Sequence, residues 1–109
     1  MSLKRTQTEV HKWATQWRFP YWTPHEILAR LAEEVGELAR EINHRFGPKK
    51  KKLTEKDRQL ADEIGDVLFT LMCLASSQKI DLDKVFKRIM DKYYGRDAAR
   101  FEKKLKKKS

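Results

Sequence analysis

Two stretches of the chain nearly repeat each other, Leu31-Ala32-Glu33-Glu34-Val35-Gly36-Glu37-Leu38 and Leu60-Ala61-Asp62-Glu63-Ile64-Gly65-Asp66-Val67. Each sets two carboxylates three residues apart with a glycine between them: Glu34 and Glu37 in the first copy, Glu63 and Asp66 in the second. Glycine inside a helix costs about 1 kcal/mol relative to alanine, so a solvated helix face has little reason to carry the combination twice. Advancing about 100° per residue puts Leu31, Val35, Leu38 and Ile42 on one apolar stripe, with Glu34 about 60° and Glu37 about 120° to one side. The count from Leu60, through Ile64, Val67 and Leu71, gives Glu63 and Asp66 the same offsets. Two such helices packed antiparallel by their stripes would bring the four acids to one cleft. Carboxylates gathered that closely must either repel one another or bind a cation.

Ligand type narrows the cation. Sites built wholly from carboxylate oxygen suit Mg²⁺, Mn²⁺ or Ca²⁺, whereas zinc and iron sites usually recruit imidazole or thiolate. Mg²⁺, with Mn²⁺ as substitute, is the expectation, because Mg²⁺ keeps exchangeable waters and engages substrate phosphates. A carboxylate not fully used as a ligand would then orient or deprotonate water, and Glu33, Glu37 and Glu41 are the candidates.

The run Glu33-Glu34-x-x-Glu37, followed after 25 residues by Glu63-x-x-Asp66, resembles the motif of the MazG-type, all-α nucleoside triphosphate pyrophosphohydrolases. The resemblance runs from Trp13 to Phe101. It implies Mg²⁺-dependent cleavage of a nucleoside triphosphate to the monophosphate and pyrophosphate, a role suited to sanitation of the nucleotide pool. It makes Glu34, Glu37, Glu63 and Asp66 the metal ligands and Glu33 and Glu37 the catalytic carboxylates. Glu33 lies about 160° from the apolar stripe and ranks below the others. Lys92 and Arg96 resemble the family's Lys-x-x-x-Arg element and would hold the triphosphate, arginine through its planar fork. Trp13, Trp17, Trp22 and Tyr94 are candidates to stack on the base, with Trp22 and Tyr94 preferred. Relatives act on different bases, and one acts on phosphoribosyl-ATP, which stays open as an alternative substrate.

The elements that must position these residues read as four helices. The first is expected over Thr8 to Trp17, ending before Phe19-Pro20 because proline disfavours helix at the residue before it. Thr23 caps the second, with Pro24 at its first position, and that helix stops at Phe46-Gly47-Pro48. Thr54 caps the third, with Asp57 completing a capping box, and its stripe fades near Ser76-Ser77. A fourth starts near Asp81 and ends at about Tyr94, before Gly95. No strand pattern competes. The fold expected is an all-α, four-helix antiparallel bundle-like subunit over residues 1–102, followed by a flexible basic tail over 103–109. Stripes this broad on 109 residues need a homodimer or a dimer of dimers to cover them. Trp13 and Trp17, four apart on one helix face, are expected to pack against the core.

Other residues offer rival chemistry. Glu41-x-x-His44 has the spacing used in di-iron bundles, but no second Glu-x-x-His accompanies it, and His44 reads as an exposed residue near a helix end. His25 is a weaker candidate for substrate contact, and His11 for capping or packing. Cys73, the single cysteine, has no disulfide partner in the chain and reads as helix packing. A net charge of +9 raises a second class of function, a basic nucleic-acid-binding helical module. Lys49 to Lys52 and Lys103 to Lys108 would attract phosphate backbones, but no aromatic interleaving or recognition-helix signature accompanies them, so only non-specific affinity is expected. No apolar run is long enough to span a bilayer and no signal-peptide pattern opens the chain, so the expectation is a cytoplasmic protein without a membrane partner.

Overall fold

The computed structural model describes residues 2–47 and 58–97. Four α-helices account for most of them: α1 (Leu3–Ala14), α2 (Pro24–Phe46), α3 (Arg58–Ser77) and α4 (Leu82–Asp97). No strand occurs among the described residues. The lysine run at 49–52, the Thr54–Asp57 capping box and the 103–109 tail lie outside them.

The longest helix forms for the reasons read from its sequence. The Thr23 hydroxyl accepts from the Glu26 N–H at 3.3 Å while the Thr23 N–H donates to Glu26 Oε1 at 2.9 Å, closing a reciprocal capping box behind Pro24. At the other end the Gly47 N–H donates to the Asn43 carbonyl at 2.9 Å. A Cβ on Gly47 would collide with that carbonyl oxygen, so only glycine fits this stop.

The first helix departs from expectation. It begins at Leu3, five residues before Thr8, and stops at Ala14 rather than Trp17. Ser2 caps it, its hydroxyl accepting from the Arg5 N–H at 3.1 Å. The line covered by the rest of the protein runs through Leu3, Gln7, Val10 and Ala14, and the polar Gln7 in its middle hides the stripe from a hydrophobicity count. Gln7 is buried because it clasps the α3–α4 turn: its Nε2 donates to the Ile80 carbonyl at 2.7 Å and its Oε1 accepts from the Leu82 N–H at 2.9 Å. Asp83 reciprocates, its Oδ1 accepting from the Leu3 N–H at 2.9 Å. Gln7→Leu keeps the volume but leaves two backbone groups unpaired, so it should lower unfolding free energy by about 1–3 kcal/mol in urea denaturation. A cost below about 0.5 kcal/mol would show that water replaces the clasp.

Asp81 caps α4, its Oδ1 accepting from the N–H groups of Asp83 at 3.0 Å and Lys84 at 3.4 Å. That helix runs through Gly95 to Asp97 instead of ending at Tyr94. A lone glycine lowers helix propensity without forcing a stop.

The core joins Val10, Ile27, Met72 and Cys73, with Leu3, Tyr21, Phe69, Leu74 and Leu82 packed against it. Ile27, near the start of α2, thus meets the last turns of α3, which makes the two helices antiparallel. Cys73 packs in this core as expected. Helix α1 lies across that end of the pair, and α4 packs chiefly on α1.

The seam between α2 and α3 is not the one the apolar stripes predict. On α2 the covered residues from Ile27 to Glu41 are Ile27, Leu31, Glu34, Leu38 and Glu41, alternating four and three apart as in a coiled-coil seam, while Val35 and Ile42 are 47% and 43% exposed. In the first half of α3, from Gln59 to Leu68, only Leu60, Glu63 and Val67 are even half-covered, and Ile64 is exposed. The seam is rotated toward the acids, which take positions that a packing argument would give to aliphatic side chains.

Candidate active site

Glu34 and Glu37 on α2 and Glu63 on α3 each bring a carboxylate oxygen into a group whose members all lie within 4.8 Å of one another. Glu34 is buried, Glu63 half-buried, and Glu37 exposed at the rim. Antiparallel pairing sets these turns side by side. Glu34 Oε2 and Glu63 Oε2 are both buried and have no hydrogen-bond partner. A buried, unpartnered carboxylate oxygen is costly, and two of them on residues of one cluster are what a cation would repay.

Electrostatics at the site follow from this crowding. Burial pushes the Glu34 carboxyl above its ordinary range, the charges of Glu37, Asp66 and Glu33 push it further, and Arg30 opposes them. Burial likewise raises Glu63, followed by the charge and close contact of Glu37 and then by Asp66 and Glu34. Asp66 therefore acts on both acids through its charge, though its carboxylate lies outside the 4.8 Å group. Its carbonyl accepts from the Thr70 hydroxyl at 2.8 Å.

The remaining candidates spread more widely. Glu33 is exposed and lines a groove with Trp22, Glu26, Ala29 and Arg30, away from the oxygen cluster. Glu41 is buried one turn past Glu37. His44 is half-buried rather than exposed, and no His belongs to a ligand group among the described residues. Lys92 and Arg96 both flank Tyr93, at 5.0 and 5.1 Å from its ring centroid, on the helix that packs on α1. Tyr94 is 74% exposed on the same helix.

Trp22 stands in a different place. With Trp13, Trp17, Phe19, Tyr21 and Cys73 it lines a cavity of about 210 Å³. Trp13 and Trp17, expected to pack against the core, stand at its edge, 44% and 52% exposed. Trp13 meets Trp17 and Phe69 edge-on, with centroids 6.0 and 5.4 Å apart. Because α1 ends at Ala14, Trp17 falls in the connection to α2 and the two indoles wall a cavity instead of a helix interface. His11 Nδ1 lies 2.6 Å from the Tyr21 hydroxyl. Arg30 is a site residue that the sequence reading missed. Its guanidinium is 3.7 Å from Glu34 Oε1 and 5.1 Å from the Trp22 ring centroid, and its i,i+4 spacing to Glu34 was the available signal.

An all-α subunit with a carboxylate cluster between two antiparallel helices is the frame in which comparison with known proteins becomes informative. Residues 22–101 match the MazG nucleotide pyrophosphohydrolase domain. The uncharacterized protein YpjD of Bacillus subtilis (strain 168) is 48% identical over 103 residues, covering 94% of this chain and 93% of that protein. The crystal structure of Bacillus subtilis YpjD aligns with a TM-score of 0.80, covering 85% of this chain and 95% of that one. A Bacillus-conserved MazG protein, described as a nucleotide pyrophosphohydrolase, aligns with a TM-score of 0.74 at 39% identity over 85% of this chain and 90% of its own. The chain belongs to the MazG nucleotide pyrophosphohydrolase family and is an enzyme that hydrolyses nucleotides with release of pyrophosphate. The family match starts at Trp22, so residues 13–21, within the span of the sequence resemblance, lie outside it.

Proposed function

We propose that this enzyme hydrolyses a nucleoside triphosphate to the nucleoside monophosphate and pyrophosphate, with Mg²⁺ as its cation and Mn²⁺ as a substitute. One observation carries the reading: the cluster of Glu34, Glu37 and Glu63, with its two buried, unpartnered oxygens. Those three residues, with Asp66 beside them, would hold the metal. When bound, such a cation supplies neutralisation of phosphate charge and acidification of a coordinated water. Glu37, at the solvent rim, is placed to orient or deprotonate water, and Glu33 is the second candidate for that task. Trp22 offers a ring face for the base at the aromatic cavity.

Lys92, Arg96 and Tyr94 complete the proposal only through assembly. Helix α4 packs chiefly on α1, so their contact with substrate is assigned to assembled copies. A homodimer or a dimer of dimers is supported by the exposed aliphatic faces of α2 and α3. No helix among the described residues is long and apolar enough to cross a membrane, and a cytoplasmic location accords with a nucleotide substrate.

A panel of ribo- and deoxyribonucleoside triphosphates, with phosphoribosyl-ATP included, tests the reading when pyrophosphate and orthophosphate are measured separately. The expected result is one pyrophosphate per monophosphate, abolished by a chelator and restored by Mg²⁺ or Mn²⁺. Orthophosphate without pyrophosphate would sink it.

A further inference from the structure

We propose that Arg30 is a phosphate-binding residue that changes partner as the site fills: paired with Glu34 in the free protein, it turns to the substrate's polyphosphate once a cation has taken up the charge of Glu34. The inference rests on the metal and nucleotide reading above and adds to it a residue from outside the acidic motif.

Arg30 sits one turn before Glu34 on α2, and its Nη2 lies 3.7 Å from Glu34 Oε1. That distance exceeds hydrogen-bond reach, so the two charges attract without being locked together. The Arg30 side chain is 48% exposed and that of Glu34 only 10%. The two oxygens of Glu34 divide their surroundings, Oε1 toward Arg30 and Oε2 buried without a partner. A cation on the Oε2 side neutralises the charge that attracts the guanidinium and repels the guanidinium itself. Release is inexpensive, since ion pairs with a solvated partner contribute little.

The guanidinium has somewhere to go. It stacks over Trp22 at 5.1 Å, a contact that tethers it without using its N–H donors. Trp22 also walls the aromatic cavity, and a groove lined by Trp22, Glu26, Ala29, Arg30 and Glu33 opens beside it. Arg30 therefore stands between the carboxylate cluster and the aromatic wall. A ligand with phosphates at the first and a ring at the second must cross it. The planar fork of a guanidinium matches phosphate oxygens two at a time, which a lysine cannot do.

The test compares the parent protein with Arg30→Met and Arg30→Lys, first titrating Mn²⁺ alone and then inorganic pyrophosphate at saturating Mn²⁺, with far-UV circular dichroism to confirm folding. Arg30→Met removes a like charge beside the metal, so Mn²⁺ alone should bind unchanged or up to about tenfold tighter. Pyrophosphate should bind the same variant at least about tenfold more weakly. Arg30→Lys keeps the charge but not the fork, so Mn²⁺ affinity should stay within about twofold while pyrophosphate weakens about threefold or more. Weaker Mn²⁺ binding by Arg30→Met would reduce Arg30 to an orienting partner of Glu34 and overturn the proposal. Unchanged pyrophosphate affinity would overturn it equally. A parent protein that binds no Mn²⁺ removes the metal reading and this inference together, whereas a parent that binds Mn²⁺ beside an indifferent Arg30→Met removes this inference alone.

Discussion

Glu63→Gln should melt at or above the parent's temperature without metal, yet lose at least about 100-fold in turnover. The two effects have one origin. In the metal-free protein Glu63 is crowded by Glu37, Asp66 and Glu34 and carries a buried oxygen without a partner. Glutamine keeps the shape and removes one of the repelling charges. Mg²⁺ or Mn²⁺ at saturation should stabilise the parent by about 1–3 kcal/mol through linkage and the variant much less. If the acids merely decorate a surface, thermal melts would agree within about 0.5 kcal/mol with or without metal, and turnover would survive.

The same comparison has a pH signature. Glu34 and Glu63 have folded pKa values raised above their unfolded ones, so the folded state binds their protons more readily. Their contribution is unfavourable where both are charged, and the penalty is relieved as pH falls through the raised folded values. The melting temperature of Glu63→Gln minus that of the parent, both metal-free, should therefore be largest near pH 7 and shrink as pH is lowered toward the carboxylate range. A difference that grows on acidification would contradict the assigned crowding.

Val35→Lys combined with Leu68→Lys should convert an assembled protein into one of a single chain's mass, 13.0 kDa, in light scattering at micromolar concentration. Leu28, Val35 and Ile42 on α2 are 61%, 47% and 43% exposed, and Ile64, Leu68 and Leu71 on α3 are 52%, 44% and 41% exposed. Small residues accompany them: Ala32, Gly36 and Ala39 on one helix, Ala61 and Gly65 on the other, all exposed. A Cβ on Gly36 or Gly65 would meet nothing within 4 Å, so among the described residues these helix-weakening glycines serve no packing need. Exposed apolar side chains gathered on two paired helices suit an interaction site, and a second copy offers the same surface in return. In a monomer the two exposed substitutions would shift stability by only about 0.5 kcal/mol each. In an assembly they should lower the melting temperature and make it depend on protein concentration. A parent protein already monomeric at micromolar concentration would remove the prediction.

Local chemistry wrote much of this protein into its sequence. Thr23-Pro24 and Phe46-Gly47 set both ends of α2 because caps and stops depend on neighbours in the chain, and the duplicated octapeptide announced a carboxylate cluster because acids three apart on a helix stay near each other in any packing. What the sequence left undecided depended on which helix faces which. The apolar count placed Val35, Ile42 and Ile64 inside and the acids at the flank. Tertiary packing instead rotated the seam onto Glu34, Glu41 and Glu63, since residue spacing alone does not say on which side of a helix its partner lies. Gln7 was invisible as a core residue because its two partners are the Ile80 carbonyl and the Leu82 N–H, more than seventy residues away. Trp13 and Trp17 wall a cavity at the edge of the core because α1 ends one turn early. Helical periodicity supplies angles around an axis; only packing chooses the angle that points inward.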